Sequence, residues 1–122
     1  MDVQSVFERM MDQIARLLTY DHAALLMLNT SSTGDSYAII HATTGYGTSY
    51  EGQIVPLADS EILQHVINGQ QPLIVYDFKG ENEPLFLRSR RPRTWMGVPM
   101  VSQGRVIGMI GHARLTKGGA DV

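Results

Sequence analysis

Trp95-Met96-Gly97-Val98-Pro99-Met100-Val101, then Ser102-Gln103-Gly104, then Arg105-Val106-Ile107-Gly108-Met109-Ile110-Gly111-His112-Ala113-Arg114 is the stretch that decides the fold. Two apolar runs flank Gln103-Gly104, where glycine supplies the positive φ that a tight turn demands, so the segment predicts an antiparallel hairpin. Gly97, Gly108 and Gly111 inside the runs predict close approach by another element, or a bulge.

Working back from the hairpin, Pro72-Leu73-Ile74-Val75-Tyr76 reads as a strand, with proline at the first position, where no donor is needed. Residues 77–93 read as irregular, with one helical turn near Pro84 to Arg88. Asp59 or Ser60 caps a helix whose buried stripe is Ile62, Leu63, Val66 and Ile67, and Gly69 is placed to end it. A short strand is expected at Gln53 to Leu57. Ser36 to Thr43 is a strand whose alternation puts Tyr37, Ile39 and His41 on one face and Ala38, Ile40 and Ala42 on the other. A loop rich in Ser, Thr and Gly, Asn29 to Asp35, joins it to Ala23-Ala24-Leu25-Leu26-Met27-Leu28. That run is too short for a helix and reads as a strand buried on both faces.

Residues 2–19 read as the first helix. Val3, Phe7, Met10, Ile14 and Leu17 line one face, and Val6, Met11, Ala15 and Leu18 widen the stripe beyond one contact surface. The order is helix, hairpin, short strand, helix, strand, irregular segment, hairpin. It predicts an α+β fold, a central and mainly antiparallel sheet of about five to six strands flanked by helices. The whole, 1–122, reads as one domain with its core at 3–114 and a patternless tail at 115–122.

At 122 residues the chain can bury roughly two-thirds of its unfolded surface. A net charge of −2 gives no field for nucleic acid or anionic lipid. No apolar run reaches the roughly 18 residues of a membrane span. No basic-then-apolar start marks a secretory signal, so a cytoplasmic location is expected by default. The chain has no cysteine, which excludes disulfides, thiolate nucleophiles, thiolate metal sites and thioether-linked cofactors.

Several segments together resemble GAF domains. Tyr20-Asp21-His22-Ala23-Ala24-Leu25-Leu26-Met27-Leu28 is similar to their first strand and its lead-in. Val55-Pro56-Leu57, Ser60-Glu61-Ile62-Leu63, Val66 and Gly69 resemble the short strand and following helix. Gln71 to Asp77 resembles the next strand, and Met96-Gly97-Val98-Pro99-Met100 with Gly104 to Ile110 the closing hairpin. The resemblance spans about residues 3–114 and implies a GAF/PAS-like sensory module of a signalling protein. It also implies a final helix beside the first, for which Thr116 to Val122 offers no pattern. Pigment attachment within the domain and reduction of free methionine sulfoxide both use cysteines that this chain lacks. The Asn-Lys-Phe-Asp-Glu signature of cyclic-nucleotide-binding members is not reproduced.

Other constellations are weak. Arg88-Ser89-Arg90-Arg91-Pro92-Arg93 could chelate phosphate, but a solvated loop paired with Asp77, Glu81 and Glu83 is the preferred reading. His22, His41, His65 and His112 have no metal-ligand spacing, and no nucleophile elbow or phosphate loop occurs. The expectation is a regulatory domain that is not an enzyme and carries no metal or other cofactor. It would bind an unidentified small molecule on the sheet face away from the first helix, under the second helix and segment 77–93. Tyr37, His41, Tyr46, Tyr76, Asp77, Trp95 and His112 are the candidate ligand residues. Phe7, Met10, Met11, Ile14 and Leu18 are the candidate homodimer surface. An output domain (kinase, cyclase or transcription regulator) would lie outside this chain, with no nucleic-acid or membrane partner. The alternative is a structural dimerisation module with no ligand.

Overall fold

Asp2 opens the first helix, α1 (Val3–Ile14), by accepting a hydrogen bond from the Ser5 amide at 2.7 Å. The computed structural model describes residues 2–17, 19–46, 50–78, 82–88 and 92–115. The helix ends at Ile14 rather than continuing to 19. The amide of Ala15 bonds the Met11 carbonyl at 2.8 Å, the Tyr20 hydroxyl donates to the same carbonyl at 3.0 Å, and Leu17 swings out to 86% exposure. Gln4 clips the helix to the sheet. Its side-chain amide donates to the Thr43 carbonyl at 2.8 Å and accepts from the Thr43 amide at 3.2 Å, as a neighbouring strand would.

The elements that follow are β1 (His22–Thr30), β2 (Ser36–Thr44), β3 (Ile54–Pro56), a 3-10 turn (Leu57–Asp59) and α2 (Glu61–Gly69). After them come β4 (Leu73–Tyr76), α3 (Leu85–Arg88), β5 (Pro92–Ser102) and β6 (Arg105–Leu115). Six strands form one sheet in the order β3-β2-β1-β6-β5-β4, antiparallel throughout. Both hairpins form as read, and Gln103 and Gly104 take φ angles of 53° and 76° at the tight turn. The union of the two hairpins through β1 and β6 is long-range pairing that no local pattern announces. The edge strands β3 and β4 are the two shortest, which leaves little open backbone for another chain to pair with.

Two apolar clusters sit on opposite faces. Phe7 and Met11 of α1 pack on Ala23 and Ala42. Across the sheet, Leu63 and Val66 of α2 and Phe86 and Leu87 of α3 pack with Ala24, Leu26, Ile40 and Trp95. Ala42 belongs to the first cluster and Ile40 to the second, so the simple alternation expected for β2 fails. A register shift, Leu25 opposite Ala42 but Leu26 opposite Ile40, leaves His41 as an exposed extra residue. At the end of α2, Gly69 is the last helical residue. Gln70 takes the left-handed turn instead, with φ of 51°.

Two of the three strand glycines, Gly97 and Gly111, are explained by Trp95, whereas Gly108 lies against the Leu26 carbonyl and the Met100 and Met27 side chains. The indole lies across Gly97 and Gly111, and a Cβ on Gly111 would fall 2.7 Å from its Cζ2. Only hydrogen fits beneath the ring, as expected of glycine where another group approaches the backbone closely.

Candidate functional site

The seven candidate ligand residues do not converge on one face. Tyr46 and Trp95 are buried in the cluster under α2. Tyr76 and His112 lie on the opposite face: Tyr76 alternates with the inward-packed Leu73 and Val75, and His112 sits 6.0 Å from Tyr20 on the α1 side. Tyr37 alternates with the inward Ala38 and lines a groove near the β1–β2 loop with Leu57 and Gln64. His41 stands out at the bulge, and Asp77 is exposed just past β4. Alternation assigns residues to faces within one strand, but register between strands decides which faces match. That information is not local.

Beneath α2 the floor is aromatic. The ring of His22 lies 4.2 Å from Tyr46, and Tyr46 meets Tyr50 edge-on at 5.2 Å. Burial, reinforced by Tyr50, pushes the Tyr46 hydroxyl far above its ordinary range. His22 and Tyr50 were not among the candidates. His22 follows the strand's inward alternation with Ala24 and Leu26, which is the signal that could have found it.

The segment bearing α3 closes over this floor. Phe86 and Leu87 point into the cluster, 3% and 1% exposed. Glu83 fastens the segment to the start of α2: its carboxylate accepts from the Ser60 hydroxyl and from the Ile62 amide at 3.3 Å. Ser60 in turn caps α2 by accepting from the Leu63 amide at 3.0 Å. A carboxylate at a helix N-terminus meets unsatisfied amides and the positive end of the helix dipole. Arg88 braces the segment, its Nε donating to the Glu83 carbonyl at 2.9 Å. A cleft of about 270 Å³ runs between β3 and this segment, lined by Val55, Pro56, Asp59, Asn82, Glu83 and Phe86. The polar contacts of Glu83 were not foreseen, because their partner lies at Ser60, 23 residues away. Glu81, Arg90 and Arg91 lie outside the described residues. Among those described, no group of three His, Asp or Glu could hold a metal ion.

The candidate dimer residues divide similarly. Phe7 and Met11 are 0% and 1% exposed, so they serve the chain's own core and cannot be surface contacts. Met10 is 41% exposed, Ile14 half-buried, and Leu18 outside the described residues. Among the described side chains of α1, the outward apolar ones are Val6 and Met10. On the α1 side of β4 and β5, Ile74, Tyr76 and Val98 are also uncovered. Residues 116–122, where a further helix was considered, lie outside the described residues.

The architecture is that of α+β sensor modules, with helices on both faces of a six-stranded antiparallel sheet. The family model described as GAF domain matches residues 2–118, and the chain belongs to that family. GAF domains are typically sensory or regulatory parts of signalling proteins. Among solved structures, the GAF domain of a two-component sensor histidine kinase from Bacillus halodurans aligns with a TM-score of 0.72 at 13% identity. That alignment covers 96% of this chain and 79% of the other. NreA of Staphylococcus aureus, in a form mutated in its nitrate binding site, gives 0.70 at 17% identity, covering 92% and 85%. A type II free methionine-R-sulfoxide reductase from Thermoplasma acidophilum gives 0.68 at 17% identity, covering 91% and 73%. Comparison with curated proteins gives no match. No helix among the described residues is long and apolar enough to cross a membrane.

Proposed function

We propose that this chain is a non-catalytic regulatory module. It binds a small molecule beneath the α3 segment and passes occupancy through α1 and homodimer packing to an output domain such as a kinase, cyclase or transcription regulator. The observation that carries the reading is the Glu83 latch. A short segment with two apolar side chains is held over an aromatic floor by one carboxylate on the start of α2. A ligand that favoured the open segment would shift the closed–open balance by its differential affinity alone. Without cysteine the chain cannot perform the thiol chemistry expected of methionine sulfoxide reductases, which supports a binding role.

Glu83→Ala tests the mechanism. Hydrogen bonds to a charged group contribute about 1.5–3 kcal/mol. Removing the latch should therefore lower stability by a similar amount and raise affinity by ~10-fold for each 1.4 kcal/mol of closed-state preference lost. Fluorescence of Trp95, the sole tryptophan, reads binding across nucleotides, aromatic acids and small anions. Nitrate belongs in that panel because of the NreA likeness. The dense packing of Phe86, Leu87 and Trp95 favours a second reading, a structural dimerisation module with no ligand. If neither the wild type nor Glu83→Ala responds to any compound, only that second reading stands.

A further inference from the structure

On the face opposite α2, two adjoining grooves of about 400 and 430 Å³ share Tyr76, Thr94 and Arg114. Each volume lies within the range of small-ligand sites. One groove is polar, with Asp77, Arg93 and Arg114 on its walls. The other continues over Ile74 and Met96. Asp77 and Arg114 carry opposite charges into one groove. Yet neither the Asp77 carboxylate nor the Arg114 guanidinium has a hydrogen bond or ion pair among the described residues. Asp77 holds a left-handed backbone, φ 51°, which is uncommon outside glycine and places its side chain just beyond Tyr76 at the groove wall. Ile74 and Tyr76 are 48% and 71% exposed, although both are large and apolar.

We propose that this groove binds an apolar α-amino acid. Its carboxylate would meet Arg114, its ammonium Asp77, and its side chain would cover Ile74, Tyr76 and Met96. A ligand carrying both charges satisfies two groups that do not satisfy each other, and an apolar side chain removes exposed surface from water. A simple anion would leave Asp77 as a repulsive neighbour, and a simple cation would do the same at Arg114. The site lies across the sheet from the α3 segment and stands independently of the function proposed above.

Calorimetric titration of the whole chain with L-leucine and L-phenylalanine tests it, with 3-phenylpropionate and phenethylamine as one-charge analogues. The expected result is saturable binding of an amino acid, weakened at least ~10-fold by Arg114→Gln and by Asp77→Asn, with each analogue at least ~10-fold weaker. Both side chains are exposed, and asparagine tolerates the left-handed backbone, so the variants should fold. Amide shifts in an NMR titration should concentrate at Ile74 to Asp77 and Thr94. No saturable heat at roughly 10 mM ligand would overturn the proposal. So would variants that bind as wild type, an analogue that binds equally well, or shifts centred on Leu63 and Phe86.

Discussion

Replacing Gly111 with alanine probes the packing that organises the sheet. The new Cβ would stand 2.7 Å from Trp95 Cζ2 and 3.0 Å from Cε2 and Nε1. Comfortable carbon contacts lie at about 3.5–4.0 Å, so the ring must withdraw by roughly 1 Å. It has little freedom to do so. Trp95 is 3% exposed, the same ring also covers Gly97, and it belongs to the cluster that includes Leu63, Val66, Phe86 and Leu87. Overpacking of this kind costs about 1–3 kcal/mol. Alanine also restricts the unfolded chain, which offsets about 0.4–1 kcal/mol. The difference spans about 0–2.6 kcal/mol. The contact well under 3 Å with a buried ring places the expected loss at about 1–2 kcal/mol, or a fall in Tm of roughly 3–12 °C for a domain of this size. Urea unfolding followed by circular dichroism measures the first figure, and calorimetry the second. Gly69→Ala is the control, because a Cβ there meets nothing within 4 Å and the residue is helical. It should be neutral or stabilising, by up to about 1 kcal/mol. In a Trp95→Leu background the cost of Gly111→Ala should shrink, because the clashing ring is gone. Equal stability of Gly111→Ala and wild type would refute the placement of the indole over the glycine.

The two faces of α1 predict opposite outcomes for neighbouring methionines. Met11→Glu buries a carboxylate at a 1% exposed position and should unfold the chain, visible as lost helical dichroism. Met10→Glu should stay folded, and light scattering should show a dimer built on this helix dissociating to monomers. The Tyr46 hydroxyl is held neutral by burial, so its folded pKa stands above the ordinary 10.0. The stability this contributes is full below pH 10 and is lost as pH rises further. Ultraviolet titration should accordingly find one tyrosine that ionises only as the fold opens. Burial lowers the pKa of His112 from its ordinary 6.5. Its contribution is present above that value and lost as pH falls through the folded pKa, and its NMR titration midpoint should fall below 6.5.

Local signals carried the element order far. The Gln103-Gly104 turn, the Ser60 cap and the single helical turn before Arg88 all stand where composition and spacing put them. The apolar period continues through Leu17, so the sequence pattern overruns the first helix. After Ile14 the chain tightens into i→i−3 hydrogen bonds from Arg16 and Leu17, and the Tyr20 hydroxyl adds a second donor to the Met11 carbonyl. The candidate site was legible only in part. Trp95 and Tyr46 lie in the α2-side cluster, but the approach of His22 to Tyr46 depends on the tertiary fold, and that of Glu83 to Ser60 on a contact spanning 23 residues. The His41 bulge, which flips the outer half of β2, leaves no compositional trace. Neither does the meeting of Asp77 with Arg114 at one groove, since Asp77 follows strand β4 and Arg114 stands near the end of the β5–β6 hairpin.

The position of β6 has a consequence for synthesis. Of the six strands in the sheet this is the last to be synthesised, yet it occupies the middle of the sheet, between β1 and β5. Until residue 115 emerges, β1 presents an unpaired flank of alanine and leucine that six residues of β6 will cover, from His22 opposite Ala113 to Met27 opposite Gly108. At roughly 5–20 residues per second, the interval between completing β2 and completing β6 lasts several seconds. A nascent β1–β2 hairpin with an open apolar flank is a template for pairing with other chains. Slowing elongation between residues 45 and 115 should therefore lower the yield of folded protein through aggregation, even though the finished sheet exposes only its two shortest strands.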